Sequence, residues 1–89
     1  MSKRIAIINM LGNKLVIDPE SVLAVDKIKD SPKKNYTCDG IKFEKEDLGQ
    51  FANYIEYVNG MKNESTIVVG RLEEWQKKLG FDQIQELNA

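Results

Sequence analysis

Cys38 is the single cysteine of the chain. A thiol becomes a nucleophile or a redox centre only when a base or cation beside it lowers its pKa. Lys42 is the nearest cation in sequence, so Cys38 reads as a small half-buried residue beside a turn. The chain contains no histidine, which removes the commonest general base and the commonest metal ligand together. Glu44, Glu46 and Asp47 offer carboxylates to a divalent cation, but their spacing does not match an EF-hand loop. Negative charge at the start of a helix explains them more simply. With no paired nucleophile and base and no phosphate-binding loop, the residues imply no enzyme, no metal and no cofactor.

Binding chemistry is better represented. Trp75 is the only tryptophan; it either closes the core under a C-terminal helix or anchors a protein partner, because Trp, Tyr and Arg dominate interface hot spots. Arg71, Glu74 and Lys78 are spaced as the polar face of that helix. Tyr54 and Tyr57 lie off an apolar stripe, and serve either as core extensions or as contact residues. Lys27, Lys29, Lys33 and Lys34 form the one basic concentration. Asp26 and Asp30 interleave with them, so a solvated loop is the simpler reading, and phosphate contact through Lys33 and Lys34 is the alternative.

Composition narrows the classes further. The 89 residues carry a formal charge of −1, with a pI near 5.4, so no general field for polyanions exists and nucleic acid is disfavoured. Hydrophobic residues make up 42% and charged residues 30%, as in an ordinary single globular domain. A chain of this size buries only roughly 60–65% of its unfolded surface, which leaves room for stabilisation by a partner or a second copy. One thiol and no secretory signal point to a reducing cytoplasm. The apolar runs fall far short of the ~20 residues that span a bilayer, so no membrane insertion is expected.

The elements that must position these residues follow from periodicity and turn chemistry. Arg4 to Met10 and Lys14 to Ile17 read as a first hairpin around Gly12-Asn13. Asp18-Pro19-Glu20-Ser21 breaks the ladder, with one turn of 3₁₀ helix, and Val22 to Ile28 is a third strand. Asp39-Gly40 between Tyr36-Thr37-Cys38 and Ile41-Lys42-Phe43 is a hairpin signal, because a type I′ turn needs positive φ at both central positions. Leu48, Phe51, Ala52, Ile55 and Val58 then fall on one helical stripe, which predicts a helix from Glu44 to Val58 stopped by Asn59-Gly60. Ser65 to Val69 adds an edge strand. Arg71 to Leu79 forms a short helix capped by Gly80, with Phe81 folding back on it, and Asp82 starts a last turn carrying Ile84 and Leu87.

The order of signals from Ile5 to Val58 resembles that of the small flagellar-operon proteins called FlbD-like or SwrD-like. The residues that carry the resemblance are Met10 to Val22, Ser31-Pro32, and Thr37 to Phe43, over about the first two-thirds of the chain. That resemblance implies a small component of a motility operon. The hairpin followed by Leu48 and Phe51 also resembles, more loosely, the second half of a LytTR-type DNA-binding domain.

The expected architecture is therefore α+β in a single domain, 1–89, with 65–89 as a C-terminal extension. A small antiparallel sheet of four or five strands, made of two hairpins, is packed by one main helix and a short C-terminal helix. The expected role is a non-enzymatic regulatory module that binds a protein partner, with homodimerisation. Trp75, Arg71, Tyr54 and Tyr57 are the expected contacts. Two alternatives stand beside it: a phage or mobile-element protein that blocks a host factor, and a nucleic-acid module using the Lys27–Lys34 loop.

Overall fold

The computed structural model describes residues 4–81; the final turn expected from Asp82, with Ile84 and Leu87, lies outside them. The chain opens with two antiparallel strands, β1 (Ile5–Ile8) and β2 (Lys14–Ile17). Alternation puts Ile7 and Ile17 inside, while Ile8 and Val16 face outward. Asp18 accepts a hydrogen bond from the Glu20 N–H and Pro19 leads a 3₁₀ turn to Ser21, which ends the ladder. β3 (Val22–Lys27) follows, then a second 3₁₀ turn at Ile28–Asp30. β4 (Asn35–Cys38) and β5 (Ile41–Glu44) form the next hairpin. Its loop residues Asp39 and Gly40 have φ of 54° and 78°, the pair of positive values that a type I′ turn demands.

The main helix expected at Glu44–Val58 is absent. Lys45–Asp47 makes one 3₁₀ turn, and Ala52–Asn59 forms an eight-residue strand, β6. The described residues are mostly β, with seven strands in three sheets and one helix among them, so the α+β expectation is corrected. Two periodicities compete in this stretch. The helical one groups Leu48, Phe51, Ala52, Ile55 and Val58, yet Phe51 is 54% exposed. The two-residue one groups Asn53, Ile55 and Tyr57, all of them buried. Tyr54, Ile55, Tyr57 and Val58 are β-favouring types, and a paired strand buries both faces of such a run.

Asn59-Gly60 is accordingly a hairpin corner and not a helix stop. β6 returns as β7 (Lys62–Val69), with Asn59 opposite Lys62. Gly60 alone of the two loop residues has positive φ, 68°, which is the type II′ arrangement. The edge strand expected at Ser65–Val69 is thus the second half of a long hairpin. β3 pairs with the other side of β6, giving the order β3-β6-β7.

Successive residues of β6 and β7 feed two different hydrophobic clusters, as the pleat requires. Ile55, Tyr57 and Val68 join Ile7, Ile17, Val22, Val25 and Leu79 under the first hairpin and the helix. Ala52 and Ile67 join Ile28, Tyr36, Cys38 and Leu48 under the second hairpin. Each fully buried Ile or Val contributes roughly 1.5–3 kcal/mol of transfer free energy. Both layers hang on one three-stranded sheet.

The helix, α1 (Leu72–Lys78), lies where the sequence places it. Its end is a Schellman motif: the Gly80 N–H donates to the Lys77 carbonyl and the Phe81 N–H to the Gln76 carbonyl. Phe81 packs on the first cluster. Gln76 Nε2 donates to the Val25 carbonyl at 3.3 Å, pinning the helix across β3. No helix among the described residues is long and apolar enough to cross a membrane.

Candidate functional site

The residues singled out by type do not converge on one place. Arg71 and Trp75 come together at the start of α1, Tyr54 lies in a groove with Lys33 and Lys34, and Tyr57 is buried in the core.

The face at the start of α1 is set by the join of β7 to the helix. The Gly70 N–H donates to the Phe51 carbonyl at 2.9 Å, so the end of β7 stays tied to the residue before β6. Gly70 has φ of 143°, and a Cβ there would lie 2.9 Å from Trp75 Nε1. That close approach seats the indole over the backbone, with its N–H donating to the Val69 carbonyl at 3.2 Å. Trp75 also packs on the first cluster. Lys78 Nζ sits over the ring, 5.0 Å from its centroid.

Beside this anchor two large apolar side chains stand exposed among polar and charged ones. Phe51 is 54% and Val69 61% exposed, and Arg71 is exposed beside them. Two shallow hollows meet at Gly70 and Arg71. One, of about 410 Å³, reaches Phe51 and Asn53; the other, of about 340 Å³, reaches Val69 and Trp75. Glu74 and Lys78 rim the second, and Lys27 and Asp30 rim the first. Exposed apolar side chains, an aromatic ring and an arginine among mixed charges are residue types that recur at interface hot spots. Phe51 and Val69 escape sequence reasoning, because the helical period puts the first on a core stripe and the second reads as an ordinary strand residue.

Tyr54 and Tyr57 are separated by the strand pleat. The Tyr57 hydroxyl donates to Glu64 at 3.3 Å, and its pKa is pushed up to about 12, first by desolvation and then by the Glu64 charge. Tyr54 is half-buried and donates to Asp26 at 3.1 Å. Desolvation, followed by the Asp26 bond, pushes its pKa up to about 12 as well. Its ring packs 5.2 Å from that of Tyr36, and Lys33 Nζ lies 5.5 Å from its centroid.

The lysine loop is not one patch. Lys33 and Lys34 line the groove beside Tyr36, whereas Lys27 lines hollows shared with Asp30. Cys38 is fully buried, with Sγ hydrogen-bonded to Thr66 Oγ1 at 3.5 Å. Among the described residues, no three His, Cys, Asp or Glu side chains come close enough to hold a metal ion.

The chain matches no known family model, and no curated protein or solved structure matches it significantly. The functional reading therefore stands on this chain's own geometry.

Proposed function

We propose that the protein is a non-enzymatic binding module that acts through protein–protein contacts, with the face formed by Phe51, Val69, Arg71 and Trp75 as its contact surface. The observation that carries this reading is the exposure of Phe51 and Val69 on either side of the Gly70-Arg71 join. Two large apolar side chains left in water beside a seated indole are what a partner would cover. The rigid attachment of Trp75 to Gly70 and Val69 also lowers the entropy lost on docking.

Phe51→Ser and Arg71→Glu test it, since both alter exposed side chains and leave the core intact. In a pull-down from the source cells, the wild-type chain retains a partner. Each variant, with an unchanged circular dichroism spectrum, loses it by roughly thirtyfold, the scale of a hot-spot truncation. Equal recovery by all three proteins ends the reading. Sedimentation of the purified chain shows whether the occupant is a second copy.

A further inference from the structure

We propose that Asn59 is a site of self-modification. The Gly60 backbone nitrogen attacks its side-chain carbonyl, expels ammonia, leaves aspartate or isoaspartate at the corner of β6 and β7, and so loosens that hairpin. Asn59 is the one asparagine of the chain that is followed by glycine. Glycine has no Cβ to shield its nitrogen or to restrict the backbone as a ring closes. Asn59, Gly60 and Met61 are all exposed, and a Cβ added at Gly60 would meet nothing within 4 Å. The ladder ends at the pair Asn59 and Lys62, and the Gly60 N–H makes no hydrogen bond among the described residues. Water and base therefore reach the attacking nitrogen directly.

The step needs only solvent. Base takes the Gly60 N–H proton as that nitrogen bonds to Asn59 Cγ. The Cγ–Nδ2 bond breaks, and the departing nitrogen takes a proton from water to leave as ammonia. Water then opens the cyclic imide. Cleavage between Cγ and the Gly60 nitrogen gives aspartate, while cleavage at the main-chain carbonyl gives isoaspartate, whose backbone is one carbon longer. Glu64 sets the pace. Its carboxylate accepts from Asn59 Nδ2 at 3.0 Å. Glu64 stands opposite Tyr57, further from the corner than Asn59, so this bond turns the amide back along the hairpin and away from Gly60. Conversion replaces that donor with a negative oxygen facing Glu64, which also accepts from the Tyr57 hydroxyl at 3.3 Å. Like charges across a strand pair are destabilising. Phe51 and Val69 lie at the other end of the hairpin, so the change does not rest on the contact surface proposed above.

The test stores the full chain in mildly alkaline buffer and follows it by intact mass and by sequencing of its proteolytic peptides. The expected result is the mass gain of an amide nitrogen exchanged for oxygen, confined to Asn59, with both products present. Glu64→Ala frees the amide and should speed conversion by roughly threefold to tenfold, the worth of one hydrogen bond. Tyr57→Phe removes the other bond to Glu64 without touching the amide, and should convert at the wild-type rate. That variant separates release of the amide from general loosening of the strands. Asn59→Asp installs the charge at once and should melt below wild type. No mass gain in the folded chain, over a period in which its urea-unfolded form converts, overturns the proposal. So do gains spread evenly over the other asparagines, or equal rates in Glu64→Ala and wild type. A Tyr57→Phe protein as fast as Glu64→Ala, or an Asn59→Asp protein as stable as wild type, overturns it too.

Discussion

Asn9 Nδ2 donates to the Asp39 carboxylate at 2.9 Å across thirty positions of chain, joining the loop of the first hairpin to the turn of the second. Asn13 Nδ2 donates to the same oxygen, and Asn9 Oδ1 in turn accepts from the Leu11 and Asn13 N–H groups. The two amide donors hold the Asp39 carboxyl below its ordinary value of 3.8, the Asn13 bond being the larger cause. A carboxylate with a depressed folded pKa contributes stability that is complete above its unfolded pKa and disappears as pH falls through the folded value. The expected outcome is an acid limb below about pH 4 that Asp39→Asn flattens, measured by urea unfolding at a series of pH values. An unchanged limb in the variant would separate this clasp from acid stability.

Gly70→Ala should unseat Trp75. The new Cβ would meet the indole nitrogen at 2.9 Å on a backbone of φ 143°, so both strain and displacement follow. A cost of about 1–3 kcal/mol is expected, together with a red shift of tryptophan emission. Stability that falls without any change in emission would mean that the backbone, and not the ring, absorbs the insertion.

The two tyrosines on β6 give the protein an alkaline limit. Both phenols have folded pKa values raised from 10.0 to about 12. A raised value means that their contribution is whole below the unfolded pKa of about 10 and is lost as pH climbs toward 12. Tyr57→Phe should cost about 1 kcal/mol at neutral pH, through the lost Glu64 bond. It should also show a shallower fall in melting temperature between those two pH values. A parallel fall would place the loss on other groups.

The turn chemistry of this chain was legible and its longest hairpin was not. Asp39-Gly40, Pro19 and Gly80 each announce themselves, because positive φ or a missing N–H leaves few alternatives. Residues 48 to 58 satisfy two periods at once, and Glu44, Glu46 and Asp47 look like a helix start. What decides between them is pairing with β3 and β7, a contact no local window contains. The site shared that fate. Arg71 and Trp75 follow from a helix read correctly, whereas Phe51 and Val69 become a surface only once β6 and β7 are known to be neighbours.

Gly60→Val tests that hairpin directly. A β-branched residue at φ 68° is strongly disfavoured, so the variant should lose about 1–2 kcal/mol or more. At the C-terminal stop of a helix the same change would report on helicity. Here, far-ultraviolet circular dichroism at the unfolding midpoint should show loss of strand signal. Ile55→Ala, at a side chain of 0% exposure on the same strand, should cost about 2–5 kcal/mol.

Cys38 is wholly enclosed, next to the turn that Asn9 and Asn13 hold and against Thr66 of β7. A thiol reagent can reach it only when the packing between β4 and the β6–β7 hairpin opens. The speed of its modification is therefore a built-in clock for that opening, readable in the native protein with no label added.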